Sequence, residues 1–289
     1  MTRPFHPANF YGKRLVAVIE YIDENLAEPL LLSELSDKAA FSPSHFHKIF
    51  SEWMGETPQA YLRRCRLERA AALLRYDPDM QAKEIAPQCG YKSPEAFNRA
   101  FHAYFGMTPI EWRFGGYTRW NKSSECVPSD SIAELAGSQV KVKTMQAFQV
   151  VYKRKVGPYS EGEAALWDEF SEWIEPLAIR MQDCYGLGLD DPTVTPASRC
   201  RFDACIKLPP LVSVPNYMPV RLIPGGYYAI LKYDGIAGNT GRHWAWLFNV
   251  WLPKSGFKIS TNASFEHYPS GTPRVGAPIS SELYLPLAK

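Results

Sequence analysis

The sequence of 289 residues has no apolar run long enough to cross a bilayer. Its longest run, from Trp244 to Leu252, is interrupted by Asn249, and a membrane helix needs about 20 apolar residues. Residues 1–7 lack the apolar segment and small-residue cleavage site of a secretory signal. We therefore expect a cytoplasmic protein with no membrane partner.

Cysteine and histidine occur in no metal-binding spacing. The six cysteines are scattered, with no C-x-x-C pair and no histidine cluster nearby, so neither a metal nor a cofactor is expected. The sequence also contains no G-x-S-x-G motif and no phosphate-binding loop, and we assign no catalytic residue. The net charge is only +2, so a nucleic-acid site must come from local geometry rather than from overall charge.

Composition divides the chain into three segments. Residues 1–120 contain closely spaced amphipathic helical patterns, and residues 140–289 mix strand and helix patterns. Residues 121–139 are polar and rich in serine, which is typical of a linker. The predicted fold is an all-α N-terminal domain followed by an α+β C-terminal domain.

A pattern in residues 35–58 recurs in residues 85–109. Each copy has a helix, a turn and a second helix that begins with Ser-Pro, at Ser42 and Ser93. Serine at the N-cap and proline at the first helical position are strong signals of a helix start. Apolar residues at i, i+3 and i+4 predict one buried face for each second helix. The repeat therefore predicts two helix-turn-helix motifs.

The opposite faces of the two second helices carry polar residues suited to reading DNA. These DNA-binding candidates are Ser44, His47, Lys48, Glu95, Asn98, Arg99 and His102. Lys48 and Arg99 suit guanine, and Asn98 suits adenine. A solvated helix face is the alternative, but two matched copies favour a pair of reading helices.

A long helix is predicted between the copies, from Pro58 to Leu74. Arg63 and Arg64 are the candidates for phosphate contact on it, and pairing with carboxylates is the alternative. A rigid helix here would hold the two reading helices at a fixed separation, for which about 34 Å, one duplex turn, is useful.

Residues 14–114 resemble the AraC/XylS family of transcription regulators, of the MarA and Rob type. The resemblance is carried by Leu35-x3-Ala39-Ala40-Phe41-Ser42-x3-Phe46-x2-Ile49-Phe50, Ile85-Ala86-x3-Gly90-Tyr91-x5-Phe97-x2-Ala100-Phe101 and Phe105-Gly106-Met107-Thr108-Pro109-Ile110-Glu111-Trp112-Arg113. It implies one unit with two helix-turn-helix motifs that reads adjacent major grooves of double-stranded DNA. RNA polymerase is a further candidate partner, and recruitment of polymerase, repression and relief of sequestration all stay open. Where such relatives place Trp, Gln and Arg on the first reading helix, this chain has Ser44, His47 and Lys48.

Residues 140–289 contain a second duplication, in which Gly157, Phe170 and Trp173 recur 78 positions later. Each unit reads strand, helix and strand pair. First strands are predicted at 147–154 and 226–233, and helices at 161–181 and 241–251. The aromatic stripes on the helices are predicted to pack on the sheet.

Period-two alternation in the last strand, residues 280–287, separates two sets of side chains. Leu283, Leu285 and Leu287 share one face, and Glu282 and Tyr284 share the other. If the leucines meet the helices, the carboxylate and the phenol face a ligand cleft between the two halves. The alternative for Glu282 is an exposed charge on an edge strand.

This layout resembles the GyrI-like effector-binding domain, which also occurs in multidrug-sensing regulators. The resemblance is carried by Val156-Gly157-Pro158-Tyr159, Trp173-Ile174, Arg201-Phe202-Asp203-Ala204-Cys205-Ile206, Gly225-Gly226-Tyr227-Tyr228-Ala229 and Glu282-Leu283-Tyr284-Leu285-Pro286-Leu287. It implies that Glu282 is the ligand-facing acid, with Glu266 as the other acid. The implied cleft aromatics are Tyr152, Trp246, Tyr268 and Tyr284.

The two resemblances together predict a DNA-binding transcription regulator, and not an enzyme, whose C-terminal domain senses a hydrophobic small molecule. Cations are expected among the effectors, because a carboxylate in an apolar pocket and aromatic faces both favour positive charge. Two alternatives remain open. One is a hydrolase in which Glu282 with Tyr284 or Tyr152 activates water, and the other is a protein-interaction module comparable to gyrase-inhibiting relatives.

Overall fold

The computed structural model describes residues 10–120, 139–159, 161–215 and 217–288. These residues fall into two compact units, one within residues 6–122 and the other within residues 123–289, and each unit is described by itself. The predicted linker lies outside the described residues except for its last position, Gln139. No helix in the described ranges is long and apolar enough to cross a membrane.

The N-terminal unit is helical throughout its described length. Its helices are α1 (Phe10–Glu24), α2 (Leu32–Lys38), α3 (Pro43–Met54), α4 (Pro58–Tyr76), α5 (Ala82–Gln88), α6 (Pro94–Phe105) and α7 (Pro109–Arg113), followed by a 3-10 turn at Gly116–Arg119. The connecting helix α4 continues two residues beyond the predicted end at Leu74.

The two helix-turn-helix motifs, α2–α3 and α5–α6, begin and end their second helices in the same way. Ser42 and Ser93 accept hydrogen bonds from backbone N–H groups in the first turns of α3 and α6, at 3.4 and 3.2 Å. Both helices end at a glycine with a left-handed backbone, Gly55 at φ 71° and Gly106 at φ 70°. Glycine adopts that conformation without strain. The predicted helix starts are confirmed.

The apolar faces of α3 and α6 form the core of this unit. Phe46, Phe50, Phe97 and Phe101 are fully buried, as the i, i+3, i+4 spacing predicts. Trp112 on α7 is also fully buried, and its Nε1–H donates to the Ala71 carbonyl of α4 at 3.0 Å. Burial of the indole N–H is therefore compensated by a hydrogen bond.

The strands of the C-terminal unit form one antiparallel sheet. They are β1 (Val140–Met145), β2 (Phe148–Val156), β3 (Cys184–Gly188), β4 (Arg201–Lys207), β5 (Val220–Ile223), β6 (Gly226–Ile236), β7 (Lys258–Ile259), β8 (Ser264–Tyr268) and β9 (Pro278–Ala288). Their order is β1-β6-β9-β8-β3-β4-β2-β5, and β7 pairs with β9.

Two helical segments accompany this sheet. The first is α8 (Glu163–Ile174), and the second comprises α9 (Gly241–Trp246), a π-helical turn (Leu247–Trp251) and α10 (Leu252–Ser255). Helix α8 ends well before the predicted Met181, because Pro176 in the following 3-10 turn has no N–H to continue the ladder. The order strand, helix, strand, strand occurs as β2-α8-β3-β4, and the second series, β6-α9-β8-β9, differs from it by the additional α10 and the two-residue strand β7 before β8.

The strand register assigns side chains to the two faces of the sheet, because directly paired residues lie on the same face. The helix face contains the core that packs under α8, including Val151, Ile206, Cys184 and Tyr268, which pair in that order from β2 to β8. On the last strand, Leu283 and Leu285 are fully buried and Leu287 is nearly so. The predicted alternation of β9 is confirmed.

Candidate functional sites

The two reading helices present the predicted polar side chains on their exposed sides. Ser44 and Lys48 of α3 are exposed, and His47 is half-buried. On α6 the exposed candidates are Glu95, Asn98, Arg99 and His102. The two motifs thus offer similar outward faces on similarly capped helices, while DNA contact by these residues stays a prediction.

Arg64 is not available for phosphate contact, and that prediction is wrong. Its side chain is 2% exposed and lies between two buried carboxylates. The guanidinium donates to Glu56 at 2.7 and 2.9 Å and to Glu68 at 3.0 Å. Burial of a cation requires such pairing, so Arg64 belongs to the core. Arg63, one position earlier, is exposed and stays a candidate for phosphate contact.

The six predicted ligand residues do not form one site. In β8 and β9, Glu266 pairs with Leu283, whereas Glu282 pairs with His267. The two acids therefore lie on opposite faces of the sheet. Tyr268 shares the helix face with Glu266, and the opposite face carries Tyr152, Glu282 and Tyr284.

Glu266 lies between neutral hydrogen-bond donors and aromatic rings. Its Oε1 accepts from the Thr240 hydroxyl at 2.6 Å and from the Trp244 indole at 2.9 Å, and its Oε2 accepts from the Tyr268 hydroxyl at 2.9 Å. Glu266 is half-buried, and none of the described basic side chains forms an ion pair with it. Burial, together with the negative charge of Glu266, raises the pKa of Tyr268 and keeps that phenol protonated.

A second acid, Glu163, interacts electrostatically with Glu266. It is the first residue of α8, and burial together with the Glu266 carboxylate raises its pKa to about 7, while Lys155 opposes the shift. Lys155 is itself held by the Pro158 and Glu161 carbonyls at 2.5 and 2.7 Å. This helix-face cluster of Glu266, Glu163, Thr240, Trp244 and Tyr268 is named the Glu266 cluster below.

Glu282 has a different environment from the one expected of a ligand-facing buried acid. Its side chain is 41% exposed, and its Oε2 accepts from the Tyr284 hydroxyl at 2.8 Å and lies 3.5 Å from His267 Nδ1. The other ring nitrogen of His267 lies 3.1 Å from Asp183. Glu282 is therefore a solvated member of a polar group. The expectation of a single buried acid at Glu282 is corrected.

Tyr152 and Trp246 are both buried in this structure. Tyr152 is fully buried, with the guanidinium carbons of Arg154 and Arg221 each 5.4 Å from its ring centroid. Both arginines bind the fully buried Asp203 at 2.6 to 2.8 Å. Tyr152 therefore belongs to the packed core, and Trp246 is only 5% exposed. Their predicted role as cleft aromatics is corrected.

Sequence reasoning missed three members of the Glu266 cluster: Glu163, Thr240 and Trp244. The duplication contained a signal for Thr240, because the 78-residue offset maps Gly162, which precedes Glu163 at the start of α8, onto Thr240, which precedes α9. The repeat thus located two matching helix starts. It contained no information that both starts lie near β8.

Similarity to known proteins agrees with this two-unit architecture. Residues 35–114 match a helix-turn-helix domain family, and residues 138–288 match the GyrI-like small molecule binding domain family. The probable transcriptional regulator LumQ of Photobacterium leiognathi is 32% identical over 100 residues, which are 35% of this chain and 40% of LumQ. The chain spans only 35% to 40% of the length of the first three curated relatives.

Two further relatives match longer stretches of the chain. A DNA gyrase inhibitor of Yersinia enterocolitica is 29% identical over 134 residues, or 44% of this chain and 84% of that protein. The transcriptional regulator Rob of Salmonella typhimurium is 24% identical over 270 residues, or 89% of this chain and 90% of Rob.

The fold and the family matches define the class of protein, an AraC-type double helix-turn-helix unit joined to a small-molecule-binding unit. The chain belongs to the GyrI-like family, whose model covers more than half of it.

Proposed function

We propose that the protein is a DNA-binding transcription regulator in which α3 and α6 read adjacent major grooves. The carrying observation is the matched pair of exposed polar faces on two identically capped helices. Lys48 and Arg99 would donate to guanine, Asn98 would pair with adenine, and Arg63 would contact phosphate. RNA polymerase is proposed as a further partner, and the cytoplasm as the location of this activity.

In vitro selection of bound duplexes by the full chain tests this proposal. Arg99→Ala should weaken binding to the selected site by about 1 to 3 kcal/mol and relax one base position, because a base contact is lost. Arg63→Ala should weaken selected and scrambled duplexes alike. Arg119→Ala, exposed on the same unit but outside both motifs, is the control. Equal losses on selected and scrambled duplexes for Arg99→Ala would reject its role in base reading.

We further propose that the effector is a hydrophobic cation and that it binds at the Glu266 cluster rather than at Glu282. The carrying observation is that Glu266, half-buried beside Trp244 and Tyr268, has only neutral donors among the described residues. A half-buried carboxylate without a counter-ion favours a cationic partner, and each aromatic face adds about 0.5 to 2 kcal/mol. Glu282 already lies near His267 and is solvated.

Thermal unfolding in the presence of hydrophobic cations and neutral molecules of similar shape tests the effector proposal. The cations should stabilise the wild type and Glu282→Gln but not Glu266→Gln, and neutral molecules should not distinguish the three proteins. Equal stabilisation of Glu266→Gln and wild type by a cation would contradict the assignment. Loss of stabilisation in Glu282→Gln alone would move the site to the opposite face.

Binding rather than hydrolysis is proposed for the C-terminal unit. In the hydrolase alternative Glu282 activates water with Tyr284 or Tyr152, and Tyr152 is enclosed in the core with Arg154. The matched family is a small-molecule-binding one, and the relatives named above include two transcription regulators. The protein-interaction alternative would appear in the thermal assay as a protein that no small molecule stabilises.

A further inference from the structure

A chain of buried and partly buried hydrogen bonds connects both helix-turn-helix motifs through α4. Arg64 on α4 binds Glu56, which follows α3 in the turn, at 2.7 and 2.9 Å. Its remaining terminal nitrogen, Nη1, donates to Glu68 on α4 at 3.0 Å, and Glu68 accepts from the Tyr104 hydroxyl of α6 at 3.2 Å. The chain therefore runs from the end of the first reading helix to the second reading helix.

Arg66, two residues after Arg64 on α4, makes a separate bridge. Its guanidinium donates to the Leu26 carbonyl at 2.8 Å and to the Glu28 carbonyl, both in the segment that precedes α2. The same guanidinium lies against Gly90, in the turn between α5 and α6, where an added Cβ would approach its Cζ to 2.6 Å. Arg66 thus contacts the backbone that leads into the first motif and lies against the turn of the second motif.

The two copies of the turn show why position 90 is glycine. The equivalent residue of the first motif is Ala40, which adopts φ 52° with a side chain present, and Gly90 adopts φ 73°. A left-handed backbone alone therefore does not require glycine at this turn. At Gly90 a Cβ would also lie 2.6 Å from the Arg66 guanidinium, so a side chain there would require Arg66 to move.

We propose that Arg66 and the Arg64–Glu68–Tyr104 chain are positioning residues that lock the two helix-turn-helix motifs into one rigid reader. The proposal rests on the proposed reading of DNA by both motifs. Helix α4 connects the motifs. The Arg64–Glu68–Tyr104 chain ties α4 to the turn after α3 and to α6. Arg66 ties α4 to the segment before α2 and lies against the turn between α5 and α6, so rotation of one motif requires rupture of buried or partly buried contacts. The locked geometry fixes the spacing of the two base-contacting segments that the protein accepts.

Distance measurement between the reading helices tests the lock without DNA. Nitroxide labels at Glu52→Cys on α3 and Ala103→Cys on α6, both exposed, report the distance distribution in the full chain with Cys126→Ser. Tyr104→Phe removes one hydroxyl from the first bridge, and Gly90→Ala displaces Arg66 from the second. The matched controls are Tyr21→Phe, which loses a Tyr–Glu hydrogen bond between α1 and α2 and outside both bridges, and Ala40→Gly.

The double variant Tyr104→Phe with Gly90→Ala should broaden the distance distribution at least twofold, and each single variant should broaden it less. Both controls should keep the wild-type width. An unchanged width in the double variant, or equal broadening in Tyr21→Phe, would overturn the lock. Tyr104→Phe keeps the ring and its contacts with Phe105 and Trp120, so it remains informative if Gly90→Ala does not fold.

Binding to selected duplexes then measures the consequence for spacing. Two duplexes are compared: the selected one, and one with a single base pair inserted between the two contacted segments. The Kd for the inserted duplex divided by the Kd for the selected duplex should be at least threefold smaller in Tyr104→Phe than in the wild type. A merely structural role would raise both Kd values together and leave the ratio unchanged, which would overturn the positioning role. Failure of the wild type to select any sequence would instead refute the proposed function, and the label distances would still decide the lock.

Discussion

Replacement of Glu163 by glutamine should stabilise the C-terminal unit at alkaline pH and have little effect at acidic pH. The pKa of Glu163 rises from an ordinary 4.5 to about 7, first through burial and then through the Glu266 carboxylate, while Lys155 opposes the rise. Tyr268 also interacts electrostatically with Glu163, and the pKa of Tyr268 is raised, first through burial and then through Glu266. The folded protein therefore retains a proton on Glu163 that the unfolded chain has already released.

The sign and size of the effect follow from proton linkage. Between about pH 4.5 and pH 7 the native state binds more protons than the unfolded state, so wild-type stability falls as pH rises through that window. The full shift corresponds to about 3 kcal/mol. Glutamine cannot ionise, so Glu163→Gln should avoid that loss. Its advantage over the wild type should grow by about 2 to 3 kcal/mol between pH 5 and pH 8.

Calorimetric unfolding of the full chain at pH 5, 6, 7 and 8 measures this difference. An advantage of that size corresponds to roughly 4 to 12 °C in Tm for a unit of this length. Glu172→Gln, exposed on the same helix, is the matched control and should show a pH-independent difference from the wild type. A Glu163→Gln advantage that stays constant from pH 5 to pH 8 would refute the inference that Glu163 titrates near neutrality.

Two substitutions test the cores on either side of the sheet. Asp203→Asn should lower the free energy of unfolding by about 3 to 5 kcal/mol in urea, because Arg154 and Arg221 lose their buried counter-charge; a loss below about 1 kcal/mol would contradict that pairing. Gly186→Ala should cost about 1 to 3 kcal/mol, because its Cβ would approach the Phe202 ring to 2.6 Å, and should weaken cation binding, because the same Cβ would approach the Tyr268 hydroxyl to 3.0 Å. Unchanged cation binding in Gly186→Ala would separate Tyr268 from the effector site.

Local signals predicted the N-terminal unit well. The Ser-Pro starts at Ser42 and Ser93 and the glycines after α3 and α6 act within one helical turn, so the sequence contains the whole interaction. The arginines of α4 were harder to assign. Buried residues lie on nearly every side of this helix, because it packs against both motifs, and no polar face separates Arg64 from Arg63.

The candidate ligand site required information that a sequence pattern does not contain. Alternation in β9 separated Glu282 from Leu283, but it could not assign Glu266 of β8 to either set, because that depends on the register between the strands. The pairing of Glu266 with Leu283 places this acid on the helix face. Thr240 precedes α9 and Trp244 lies on it, more than 20 residues before Glu266. A sequence pattern therefore cannot show that they contact this acid.

The lock and the effector site together limit how a ligand can control DNA binding. A ligand changes DNA affinity only by as much as it favours one of two protein states over the other. If Arg66 and Tyr104 hold both motifs in a single arrangement, the N-terminal unit has no second internal state of different spacing for a ligand to select. The effector would then act on the availability of the DNA-binding unit as a whole. It would change affinity for all spacings by the same factor and leave the preferred spacing unchanged.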